Sequence, residues 1–162
     1  MDMVQVQRLD DPAKELVQRL HSSNTTLQPL REVGTGWQEY VLSQELRGIL
    51  QSFRLCHGAS IARTLQAQGK ELIINEKRPF QFFNNGGVSV PLDTLIVLIP
   101  LPDHGTGVKF KARNSRTWHA LPWEPGTYIR VPWGCEVHVE TPGSAFGLMV
   151  EMTWAAGADY AI

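Results

Sequence analysis

Three side chains with chemistry to offer stand in one row: Glu136, His138 and Glu140. On a β-strand, residues i, i+2 and i+4 point to one face. The spacing therefore predicts an imidazole flanked by two carboxylates, with Cys135, Val137 and Val139 turned the other way. Flanking carboxylates raise the basicity of an imidazole and hold its orientation, which suits a general acid or base. The same row can help to hold a divalent metal if another strand contributes ligands. It fits the solvent-facing side of an antiparallel strand equally well.

A second row is Lys109, Lys111 and Arg113, which share a face opposite Phe110 and Ala112 on a strand. Arg116 and His119 follow, and no Lys or Arg occurs after Arg130. Either this row or Arg130 can anchor an anionic ligand. Lysines guarding an exposed edge strand give the same pattern. Tryptophans 118, 123, 133 and 154 crowd the C-terminal half together with Tyr128. Trp133 and Tyr128 are candidates to line a pocket for a ring or a sugar, and filling a small core is the alternative. There is no phosphate-binding glycine loop, nucleophile elbow or His-Glu-x-x-His helix.

The elements that must position these rows are mostly β. The chain has 162 residues, 43% of them hydrophobic and 19% charged, which suits one folded core and excludes a disordered chain. Fourteen Gly and ten Pro predict many turns between short strands. Strands are predicted over 72–74, 79–83, 94–99, 108–113, 128–131, 135–140 and 145–154, with a turn at Asn84-Asn85-Gly86-Gly87. The run 94–99 suits a strand buried on both faces. Ahead of them, Asp10 or Asp11 caps a helix with Pro12 in its first turn and Ala13, Leu16, Val17 and Leu20 as its apolar stripe. Residues 1–36 are expected to be this helix and an arm, and 37–162 the β domain. Over 43–69 two patterns compete. Ser43 can cap a helix carrying Leu46, Ile49, Leu50 and Phe53, followed by a second helix from Ser60 to Gly69. The same residues also alternate as strands, and the turn-rich surroundings favour strands.

The stretch Gly126 to His138 resembles the second motif of the cupin superfamily: Gly, five residues, Pro, one residue, Gly, two residues, His. Gly126, Pro132 and Gly134 match, and His138 stands one residue late. The family's first motif is placed from Gly58. Thr64 and Gln66 then stand where its two histidines belong, Glu71 where its acid belongs, and Arg78 where its last Gly belongs. The resemblance spans 58–154. It implies a β-jelly-roll barrel with a ligand pocket at its mouth. In this family a metal is often held by three His and one Glu. Here only Glu71 and His138 map to those roles, so the expectation is no cofactor or a weakly held divalent metal. His57, His104 and His119 are the imidazoles that the fold could add.

These readings give a mainly β, single-domain jelly roll that binds a small, anionic molecule through Gln66, Glu71, Arg130, the lysine row, Trp133 and Tyr128. If it is an enzyme, isomerase, epimerase or lyase chemistry is expected, with His138 as acid or base oriented by Glu136 or Glu140. A structural jelly-roll subunit of a capsid, decoration or scaffold is the alternative. A helix-turn-helix over 43–69 is a third reading, disfavoured by a net charge of −1. A homo-oligomer is expected, without nucleic acid or membrane as partner. The longest apolar run, 95–99, is far short of the ~20 residues that span a bilayer, and nothing resembles a signal peptide. A cytoplasmic location is expected, or a virion if the structural alternative holds.

Overall fold

The computed structural model describes residues 3–22, 27–69, 71–102 and 105–154. Its strands are β1 (Gln5–Arg8), β2 (Pro29–Glu32), β3 (Trp37–Tyr40), β4 (Leu72–Glu76), β5 (Phe80–Phe83), β6 (Gly87–Ser89), β7 (Thr94–Pro100), β8 (Thr106–Lys111), β9 (Trp118–Ala120), β10 (Thr127–Pro132) and β11 (Glu136–Trp154). The helices are α1 (Asp11–Ser22), α2 (Gln44–Phe53) and α3 (Ala59–Ala67), the last two joined by a π-helical turn, Arg54–Gly58. None of the described helices is long and apolar enough to cross a membrane.

The barrel hangs on β11. Strands β4, β5 and β6 follow one another antiparallel along one flank of it, from Trp154 back to Glu136. Strands β7 and β8 do the same along the other flank. β10 pairs with β7, β1 with β10, β9 with β8, and β3 and β2 extend from β5. This is a mainly β, antiparallel jelly roll, as the turn-rich sequence predicts. The segments expected as separate strands over 135–140 and 145–154 are one element that carries the chain from one wall of the barrel to the other.

Side-chain alternation divides the core in two. Inside the barrel lie Phe80, Phe82, Ile96, Leu98, Ile129, Val131, Val137 and Met149. On the outer face of the β7–β10 wall, the helices pack Val17, Leu46, Ile49 and Phe53 against Val97, Ile99, Leu148 and Val150. β7 is buried along its whole length because it serves both cores. β1 extends this wall, and Leu9 and α1's Ala13 and Val17 pack in the same core.

The strand preference over 43–69 is overturned. Ser43 Oγ accepts the Leu46 N–H at 3.3 Å, so the N-cap chemistry wins. Leu46, Ile49, Leu50 and Phe53 are all fully buried, which a helical stripe allows and strand alternation does not. Each contributes roughly 1.5–3 kcal/mol by leaving water. Leu55, which the strand pattern would bury with Ile49 and Phe53, is 82% exposed. The helix-turn-helix reading also fails, because Gly58-Ala59-Ser60 continues a helix through the π turn and makes no tight turn. The placement of the first cupin motif falls with it: Thr64 and Gln66 lie on α3 and not on a barrel strand.

A candidate ligand cleft outside the barrel

The strand reading of 135–140 holds, but its polar face points away from the barrel. Cys135, Val137 and Val139 are fully buried in the interior. Glu136, His138 and Glu140 therefore stand on the outer face, opposite β8 on one side and β6 on the other. Lys111 Nζ lies 2.6 Å from Glu136 Oε2, and Ser89 Oγ donates to Glu136 Oε1 at 2.9 Å. The Lys111 hydrogen bond is the main reason the Glu136 carboxyl is held below its ordinary pKa, against the opposing effect of burial. Lys109 Nζ lies 3.9 Å from Glu140 Oε1. Both ammoniums also lie about 5 Å from the Trp118 ring centroid. The lysine row is thus matched by the acidic row across the sheet.

His138 meets Trp118 edge-on, with ring centroids 5.2 Å apart. Its Nε2 is 3.7 Å from Glu136 Oε1 and is buried without a hydrogen-bond partner among the described residues. Gly87 pairs with His138, and a Cβ there would collide first with the Val137 carbonyl oxygen and the His138 backbone, then with the imidazole, so only glycine fits against this strand. The ring is wedged into the outer surface of the sheet, not aimed into a cavity at the barrel mouth.

The metal pair does not form. Glu71 is exposed just ahead of β4, which pairs with the C-terminal end of β11, while His138 lies near that strand's start. The substitute imidazoles do not converge either. His57 accepts the Asp10 N–H at 2.8 Å and packs on Phe53 and Tyr128. His119 packs on Phe110, and His104 lies outside the described residues. Tyr128, expected to line a pocket, is 4% exposed and bonded to Gln7, and burial pushes its hydroxyl pKa up. Gln66 is exposed on α3.

Two expected residues, Arg130 and Trp133, do come together. They line a cleft of about 150 Å³ with Thr64 of α3, Gln68 just beyond its end, Leu95 of β7 and Trp154 of β11. Alternation places Ile129 and Val131 inside the barrel, so Arg130 faces the helix layer where α3 ends. Arg130 is the only charged side chain among the described residues lining the cleft. Trp154 Nε1 donates to Asp93 Oδ1 at 2.9 Å, which fixes one indole. The Arg113 guanidinium lies 3.7 Å from the Trp133 ring centroid and braces the other. Thr64 and Gln68 were invisible as partners under the strand reading. The helix carries Thr64 and, at its C-cap, Gln68 to the cleft. A second, more open hollow of about 300 Å³ lies beside Lys109, Trp118, His119 and Glu140.

No family model matches this chain, and no curated protein matches it. Solved structures do. A protein from Burkholderia pseudomallei described as an oxidoreductase of the 2OG-Fe(II) oxygenase family aligns over 93% of this chain and 84% of its own, at 14% identity and a TM-score of 0.56. A prolyl hydroxylase from Trichoplax adhaerens, in complex with a peptide fragment of hypoxia inducible factor, aligns over 95% and 84% at 12% identity and 0.57. A Pseudomonas putida prolyl-4-hydroxylase aligns over 95% and 92% at 13% identity and 0.57. The first of these neighbours corrects the cofactor expectation: its description names 2OG and Fe(II), not an absent cofactor or a loosely held divalent metal. The residues described here do not fit iron, however. The barrel interior is apolar, and no group of three or more His, Cys, Asp or Glu able to hold a metal occurs among the described residues. At these identities the likeness shows one thing, a shared cupin-like jelly-roll fold.

Proposed function

We propose that the protein binds a small anionic molecule in the cleft between α3 and the β7–β10 wall, outside its barrel. The observation that carries this reading is Arg130, the only charged side chain among the described residues that line this largely apolar cleft. A charge in such surroundings attracts an anion more strongly than it would in open water. Its planar fork matches a carboxylate or phosphate edge. The volume, about 150 Å³, is below the ~300–1,000 Å³ of sites for drug-sized ligands. The ligand is therefore small, or only its anionic head enters. The 2-oxoglutarate named for a structural neighbour belongs to this chemical class. Acid–base chemistry at His138 is not part of the reading, because Nε2 is closed off on the outer sheet face.

Thermal unfolding with inorganic phosphate, acetate, 2-oxoglutarate and benzoate tests it. At a hundredfold excess over Kd a bound ligand adds about 2.7 kcal/mol, a shift of roughly 5–10 °C for a chain of this size. We expect at least one anion to shift the wild type and none to shift R130A. A wild type indifferent to all four, or a shift that survives in R130A, overturns the proposal.

A further inference from the structure

Resting on that reading, the geometry points to a narrower ligand class: a planar, singly charged carboxylate with one ring. One cation lines the cleft, so one negative charge is compensated. A second carboxylate would be placed against Leu95, Pro132 and two indoles, where an unpaired charge is costly. One of the two indole N–H groups is already taken. The Trp154 N–H is committed to Asp93, and the Arg113 stack covers a face of Trp133. Two indoles among the lining residues supply flat apolar surface, which favours a flat ring over a puckered one. The Thr64 hydroxyl donates to the Ser60 carbonyl at 3.1 Å, so toward a ligand it can only accept. Gln68 supplies both a donor and an acceptor. A hydroxyl or N–H on the ring therefore has a partner in the cleft wall.

Isothermal titration compares benzoate, 4-hydroxybenzoate, cyclohexanecarboxylate and 2-oxoglutarate on the wild type, R130A and R130K, each variant first checked by circular dichroism. Cyclohexanecarboxylate keeps the charge and ring size of benzoate and removes only planarity. 2-Oxoglutarate adds a second charge and removes the ring. We expect benzoate to bind about tenfold more tightly than either, through its contacts with the two indoles. We expect 4-hydroxybenzoate to bind at least as well as benzoate, R130A to abolish binding and R130K to weaken it. Binding of cyclohexanecarboxylate or 2-oxoglutarate as tight as benzoate, and lost in R130A, overturns the planar monoanion while leaving the anion cleft standing. Failure of all four ligands to bind in an Arg130-dependent way overturns both.

Discussion

Arg113 lies across the indole of Trp133, 3.7 Å from its ring centroid, and this stack joins the turn after β8 to the rim of the cleft. It depends on the neighbouring turn. Gly134 has φ +79°, and a Cβ there would stand 2.7 Å from Arg113 Cγ. Gly134→Ala therefore forces both a strained backbone and a displaced guanidinium. We expect a loss of about 1–3 kcal/mol in denaturant unfolding, together with weaker anion binding as Trp133 loses its brace. A neutral outcome in both measurements would contradict the stack as a support of the cleft.

The Lys111–Glu136 pair makes a pH-dependent contribution whose sign is fixed. Lys111 first, then Ser89, holds the folded-state pKa of Glu136 below its ordinary value. The stabilisation is therefore complete above the ordinary carboxylate range and is lost as pH falls through the lowered folded-state value. Glu136→Gln is expected to destabilise at pH 7, with the gap to wild type closing on acidification below about pH 4. Urea unfolding across that range checks this, and a gap that does not change with pH would contradict it.

Ser43→Ala tests the helix that replaced the expected strands. Removing the Oγ that accepts the Leu46 N–H is expected to cost about 1 kcal/mol. Replacement by Asp, another good cap, is expected to restore most of it. Equal stability of all three forms would remove Ser43 from the helix start.

The strands were legible where one pattern had no competitor. Leu95 to Pro100 is apolar throughout, and the whole strand from Thr94 is buried. The Asn84–Asn85 turn has both residues at positive φ, as that turn chemistry requires. Over 43–69 the same apolar residues satisfied two periods, and only the Ser43 cap and the burial of Leu50 beside Ile49 separate them. The polar row at 136–140 was read onto one strand face correctly. Which face looks inward depends on the strand's neighbours, and alternation alone cannot tell a solvent face from a cavity face. The barrel interior toward which the cupin resemblance would aim His138 is packed with Phe80, Ile96 and Val137. Arg130 and Trp133 were found as residue types, but the α3 wall that closes on them appears only with the helix.

The central claim is that ligand chemistry lies outside the barrel, and tryptophan indole N–H signals separate the two locations. Trp133 and Trp154 line the outer cleft, whereas Trp123 is buried in the interior core and donates to the Phe146 carbonyl at 2.9 Å. With the five indole resonances assigned by single Trp→Phe substitutions, benzoate is titrated and the shifts are followed in 1H–15N spectra. The account predicts saturable movement of the Trp133 and Trp154 signals with Trp123 still. Movement of Trp123 with the other two unmoved would put the ligand inside the barrel and contradict it.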